Sequence, residues 1–181
     1  KKKRKKETNT KIMTKNKITM NLHKIGLWSV FVLMLCACNS HSVYEKYESI
    51  SPMAWDMNKP AHFEVEMTDT VGKYDVILHI RNNDMYPYQN IWLFTQSTAP
   101  DSTIATDTLS CYLADNQGKW INDAFLSEHD MPLVYMSRIR FPKAGTYTFT
   151  IAHGMRDSLL TGISRIGLSI EPTNINANVE K

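Results

Sequence analysis

The chain has 181 residues, enough for one domain, and with 43% hydrophobic residues it can bury a sizeable core. Its formal net charge of +3 sits at the front: residues 1–37 hold ten Lys/Arg and one acid, Glu7, leaving 11 basic against 17 acidic residues from Cys38 onward. A nucleic-acid binder needs clustered cations to neutralise phosphates, and the body has no such cluster, so nucleic acid is excluded as a partner.

Residues 1–19, "KKKRKKETNTKIMTKNKIT", are basic and unpatterned, and they read as an extension ahead of a start at Met20. From Met20 a short n-region with Lys24 leads into an apolar run, Ile25 to Leu35. That run is too short to cross a bilayer as a helix, which takes ~20 residues, and it fits the h-region of an export signal. Leu35-Cys36-Ala37-Cys38 matches the bacterial lipobox, in which cleavage falls just before the Cys and its thiol receives a diacylglyceryl group. Residues 20–37 are therefore expected to be a lipoprotein signal peptide, with Cys38 the lipid-attachment residue. The competing reading is a short membrane-anchoring segment with incidental cysteines. Loss of Cys36 and acylation of Cys38 leave Cys111 as the one thiol, so no intramolecular disulfide can form. Within "TLSCYLA", Cys111 shares a strand face with Leu109 and Leu113 and reads as a small buried hydrophobe rather than a nucleophile.

Residues 38–55 are expected to be the lipidated Cys and a polar tether. Beyond Pro52 apolar residues alternate with period two, the pattern of half-buried strands. Phe63, Val65 and Met67 face one way in "AHFEVEMT", as do Tyr74, Val76, Leu78 and Ile80 in "KYDVILHI". With Gly72 between them these two strands predict a hairpin pairing Val65 with Val76 and Phe63 with Leu78. "NIWLFT" reads as a central strand with Trp92 in the core, and "DTLSCYLAD" turns at Asn116-Gln117-Gly118 into "KWI". "PLVYMSRIRF" follows, then Ala144-Gly145 opens "TYTFTIAHG" with Tyr147, Phe149 and Ile151 inward, and "RIGLSIE" closes the set. Residues 155–162 are the one expected helical turn, ended by Gly162. The predicted fold is all-β: a single antiparallel two-sheet β-sandwich of about seven or eight strands, Ig-like or jelly-roll-like, over residues 56–172, with a polar tail at 173–181.

No motif for phosphate, dinucleotide, metalloprotease or serine-hydrolase chemistry occurs. On the predicted hairpin His62 would face His79 and Glu66 would face Asp75, a possible divalent-ion site, although such polar faces are ordinarily just solvated. Asp56, Asp84, Asp101, Asp115, Asp123 and Asp130 read as turn residues, so no carboxylate pair is singled out for hydrolysis. The unusual stretch is "IRNNDMYPYQNIWLF", where Pro87 stiffens a loop carrying two tyrosines. Tyr86, Pro87 and Tyr88 are the candidate partner-binding residues, and the rival reading tucks the rings into the sandwich edge.

The lipobox, "VYEKY", "IRNNDMYPYQNIWLF", "GKW" at 118–120, "FPKAGTYTFTIAHGMR" and "LTGISRIGLSIEP" occur together in order. As a set they resemble the gliding-motility lipoprotein GldH family of the Bacteroidetes, over nearly all of residues 38–172. The resemblance implies a component of the cell-envelope gliding machinery, associated through it with type IX secretion, with no enzymatic activity, no cofactor and no catalytic residue to carry over. The expected function is thus a lipid-anchored, non-catalytic interaction or structural subunit with envelope protein partners and no small-molecule substrate. The alternative is a lipid-anchored carbohydrate-binding module using Trp55, Trp92, Trp120, Tyr86 and Tyr88 for stacking. After Cys38 no acid occurs before Glu45, whereas surface-exported lipoproteins of this phylum carry acidic signals there, so a periplasm-facing anchor is expected.

Overall fold

The computed structural model describes residues 42–50, 52, 54–122, 127–173 and the backbone of 124–125. The expected signal peptide, Cys38 and the tail from 174 lie outside them. Eleven strands follow in order: β1 (Tyr44–Ser49), β2 (Ala54–Asp56), β3 (Ala61–Met67), β4 (Tyr74–Asn83), β5 (Asn90–Thr98), β6 (Ile104–Tyr112), β7 (Ala124–Phe125), β8 (Glu128–Ile139), β9 (Gly145–His153), β10 (Leu159–Thr161) and β11 (Ile163–Pro172). They form a five-stranded sheet, β1-β11-β4-β8-β7, a four-stranded sheet, β3-β9-β5-β6, and a small ribbon, β10-β2. Every pairing is antiparallel, and the two large sheets make an all-β sandwich. Seven of the expected strands are present as β3, β4, β5, β6, β8, β9 and β11, whereas "KWI" makes only a bridge from Trp120 to Ala114; β1, read as tether, and β2, β7 and β10, too short to show alternation, bring the described strands to eleven.

Period-two burial drives the assembly. Phe63, Val65 and Met67 from β3, Val76, Leu78 and Ile80 from β4, Phe149 and Ile151 from β9, and Ile166, Leu168 and Ile170 from β11 are at most 3% exposed. Each such side chain contributes ~1.5–3 kcal/mol of burial free energy before entropy is charged against it. Cys111 is buried among them, and the apolar surroundings push its thiol up to about 11, which suits a hydrophobe and not a nucleophile. Two aromatic clusters mark the ends of the sandwich. At one end Phe141 lies tilted against Tyr74 at 5.9 Å and meets Tyr147 edge-on at 4.8 Å. At the other, Trp55 meets His153 edge-on and Tyr86 lies against Trp120.

Three expectations about the chain path are corrected. The hairpin of residues 61–83 does not form: Val65 pairs with Tyr147, whereas Val76 pairs with Ile170 and Met136, so β3 and β4 belong to different sheets. The crossing is built at Asp69, whose Oδ1 accepts from Val71 N and Gly72 N and whose Oδ2 accepts from the Tyr74 hydroxyl. Alternation tells which face a residue takes but not which strand lies beside it. The tether expected over 38–55 contains β1, which lies along β11 with Tyr44 opposite Ile170 and Ser49 opposite Arg165. Its Glu45, Lys46 and Glu48, which read as tether chemistry, are the charges of a protected sheet edge. The helical turn at 155–162 is instead a bend followed by β10, and Gly162, at φ +81°, turns the chain from β10 into β11.

Candidate functional site

The Tyr86-Pro87-Tyr88 loop follows β4, and its two rings take different places. Tyr86 is 3% exposed; its hydroxyl donates to Asn90 O (2.8 Å) and its N–H to Asn83 O (3.0 Å). Burial, with lesser contributions from Tyr88 and Cys111, pushes its phenol far above the ordinary range. Pro87 is exposed and Tyr88 half-buried. The Tyr88 ring meets Tyr86 edge-on at 5.9 Å, and its hydroxyl donates to Asp157 Oδ2 (2.6 Å). That bond raises the Tyr88 phenol and ties the loop to the β9–β10 connection.

Tyr88 leads into a cleft on the outer face of the four-stranded sheet. About 540 Å³ in volume, it is lined by Tyr88, Asn90, Trp92 and Phe94 on one side and by Gly154, Met155 and Arg156 on the other. Trp92 is 44% and Phe94 53% exposed, so the expectation of Trp92 in the core is corrected. Within β5, Ile91, Leu93 and Thr95 face inward and Trp92, Phe94 and Gln96 face out. The apolar run "NIWLF" hid that alternation. The cleft floor is fixed from behind. Gly154 donates its N–H to Trp92 O (2.7 Å), and a Cβ there would lie 2.8 Å from the Phe94 ring, so only glycine lets that ring rest on the β9–β10 connection. Trp92 N–H points to Met155 Sδ at 3.3 Å. A second cleft of about 440 Å³ adjoins across Phe94, lined partly by Gln96, Thr106, Thr108 and Thr150.

Other sequence candidates are dispersed. Trp55 is buried and donates to Lys59 O; Trp120 is half-buried and donates to Asp84 Oδ1 (3.0 Å). Of the five stacking candidates, Tyr88 and Trp92 line the cleft. His62 and His79 lie on the outer faces of opposite sheets, so the proposed facing pair does not exist, and no metal-ligating group of three or more occurs among the described residues. His62 Nδ1 lies 3.1 Å from Thr150 Oγ1, and His79 Nε2 2.9 Å from Ser169 Oγ. Asp130, expected in a turn, stands in β8 and accepts from Arg81 Nε (3.1 Å), whose guanidinium packs over the Tyr47 ring at 4.6 Å. Burial works to raise the Asp130 carboxyl, but the nearby His79 imidazole and the Arg81 hydrogen bond outweigh it and hold the carboxyl below its usual range. Asp84 meets His129 Nε2 at 3.3 Å while His129 Nδ1 lies 2.9 Å from Asn122 O, an arrangement that pins loops together and holds no nucleophile.

Of the residues lining this cleft, the sequence reading named Tyr88 and Trp92 and did not name Phe94, Met155 and Arg156, which come from β5 and from the β9–β10 connection and meet only because the chain after β9 folds back over β5. Four consecutive apolar residues, Ile91 to Phe94, gave no periodicity by which to set Trp92 and Phe94 apart from the core.

Comparison with known proteins points one way. The family model described as GldH lipoprotein matches residues 42–170. The gliding motility lipoprotein GldH homolog of Christiangramia forsetii is 29% identical over 150 residues, covering 79% of this chain and 91% of that protein. The gliding motility lipoprotein GldH of Flavobacterium johnsoniae is 25% identical over 159 residues, 84% of this chain and 98% of that protein.

Proposed function

The chain belongs to the GldH lipoprotein family, and we propose that it is a lipid-anchored, non-catalytic interaction subunit of the gliding-motility machinery that receives a protein partner in the Tyr88–Trp92–Phe94 cleft. Acylation at Cys38 supplies the anchor, and the domain faces the periplasm. The observation that carries this reading is the pair of exposed aromatics, Trp92, whose carbonyl accepts from Gly154 N–H, and Phe94, whose ring lies against Gly154, beside Tyr88, Met155 and Arg156. Trp, Tyr, Met and Arg are the residue types enriched where proteins dock, and rings already fixed in place lose little entropy on binding. Within the loop named from the sequence, Tyr88 is the contact residue, Pro87 stiffens its approach and Tyr86 supports it from below.

The test is crosslinking and co-purification from native membranes. A Trp92→Ala, Phe94→Ala double variant should stay folded, since both rings are on the solvent side, yet lose the envelope partner, with truncation costing roughly 2 kcal/mol or more of affinity. In a gliding host it should fail to restore motility to a deletion strain. Full complementation by a folded double variant would remove the cleft from the mechanism. The carbohydrate-binding alternative draws on the same exposed Trp92; it would be preferred if the wild-type protein captured no protein but bound immobilised glycans in a Trp92-dependent way.

A further inference from the structure

Each large sheet has two edges, and three of the four are protected. Charged residues line β1, at Glu45, Lys46 and Glu48. The edge of β3 is capped where Glu48 Oε2 accepts the His62 N–H at 3.0 Å. On the far side, β8 is covered at its start by β7 and breaks its register near its end, where Arg138 is left-handed (φ 57°) and Asp75 Oδ1 accepts from Arg138 N (2.7 Å) and the Ser137 hydroxyl (2.8 Å). Charges, covers and bulges are the usual means of stopping strands from pairing with strangers. The fourth edge, β6, has neither a cover nor a bulge among the described residues and carries a single charge. It pairs with β5 in unbroken register from Asn90–Tyr112 to Thr98–Ile104 and with nothing else among the described residues. It holds no proline or lysine, and its one charge, Asp107, is turned inward to accept from the Tyr135 hydroxyl (2.8 Å). From Ile104 to Thr108 it is exposed on both faces.

We infer that β6 is a homodimer edge, pairing antiparallel with β6 of a second copy about a two-fold axis at Thr108. That register is the one the side chains select. It sets Thr106 opposite Ser110 and Asp107 opposite Leu109, so no like charges meet; moving the axis one residue back would set Asp107 against itself, which destabilises a cross-strand pair. It also sets Ile104 of each copy opposite Tyr112 of the other. Both are exposed hydrophobic side chains, at 58% and 64%, and they stand at opposite ends of the strand on its outer face. A β-branched residue against an aromatic is among the favourable cross-strand pairs. An isologous contact of this kind closes on itself and stops at two copies. The result is one continuous eight-stranded sheet with both Trp92 clefts on the same outer face.

The test uses the full-length protein in its own membranes. Facing residues in an antiparallel pair have Cα atoms about 4.5–5.5 Å apart, within reach of a disulfide. Under mild oxidant, Thr108→Cys should give a species of twice the mass, while wild type and Thr150→Cys, on β9 in the middle of the sheet, should not. Differently tagged wild-type copies should co-purify. Thr108→Lys and Thr108→Glu should each abolish this by placing like charges face to face, and mixing the two should restore it. Absence of the doubled species, an adduct with a different protein, or charge variants that pair as wild type does would each overturn the proposal.

Discussion

Tyr86 and Tyr88 are one residue apart from being neighbours in sequence, yet they serve opposite ends. Tyr86 fills the end of the core and donates its hydroxyl to Asn90 O, so Tyr86→Ala should cost on the order of 3–5 kcal/mol, as large aromatic core truncations do. Tyr88→Ala loses an exposed hydrogen bond to Asp157 and an edge-on ring contact with Tyr86, and should cost clearly less than Tyr86→Ala. Denaturant unfolding of the two single variants checks this; equal costs would mean that the core does not reach the loop. His153 offers a second residue-level test. It is 1% exposed, its Nε2 donates to Trp55 O (2.9 Å), and its Nδ1 is buried without a hydrogen-bond partner among the described residues. Burial depresses its pKa below 6.5, outweighing Trp55 O and the charges of Asp56 and Asp157, which pull upward. The unfolded chain therefore binds this proton more readily than the folded one. Stability should be full above about pH 6.5 and fall as the pH drops from there towards the depressed value, and His153→Gln should flatten that slope in pH-dependent unfolding. Nothing in "TIAHG" tells that the histidine is buried beyond its odd-numbered place on the inward face.

At the level of elements, two glycines with the same backbone separate strain from crowding. Gly118 and Gly162 both have φ +81°. Around Gly118, in the turn where Asp115 Oδ1 accepts from Gln117 N and Lys119 N, a Cβ would meet nothing. Gly118→Ala should cost only the left-handed penalty, about 1–2 kcal/mol. At Gly162 a Cβ would fall 2.3 Å from Tyr86 N, so Gly162→Ala must also push β10 away from the Tyr86 loop and should destabilise clearly more. Comparing the two melting curves checks the claim that this contact sets the loop. The turn at Gly118 was legible because Asn, Gln and Gly stand between two apolar runs. Gly162 was visible as a turn residue, but its role was misread: a short segment such as "LLT" has no periodicity by which to tell strand from helix.

For the whole molecule, the all-β class and the long strands could be read directly, because inward and outward residues alternate over seven to ten positions in β3, β4, β9 and β11. Sheet membership could not. β3 and β4 match each other as well as they match their true partners, and only the Asp69 turn, which carries the chain between sheets, decides the matter. The cleft was hidden for the same reason, since its walls come from β5 and from a connection some sixty residues later. Anchorage is tested at this scale too. On the proposed acylation of Cys38, two or three acyl chains burying methylenes at ~0.8 kcal/mol each would hold the protein on the membrane, so Cys38→Ser should move it to the soluble fraction, whereas Cys36→Ser should change little. Fractionation after palmitate labelling reads this out, and label persisting in Cys38→Ser would contradict the assignment.

The early start of β1 sets a leash. From Cys38 to Tyr44 there are only six residue steps, ~20 Å at full stretch. Tyr44 pairs with Ile170 at the Tyr74–Phe141 end of the sandwich, whereas Tyr88 and Trp92 stand at the Trp55–His153 end, about 30 Å further on by the rise of a ten-residue strand. On the proposed acylation of Cys38, a protein moored this way could not cast across the envelope to find its partner. It would work as a bollard, short and fixed at its foot, and whatever ties to its head would have to come to the membrane.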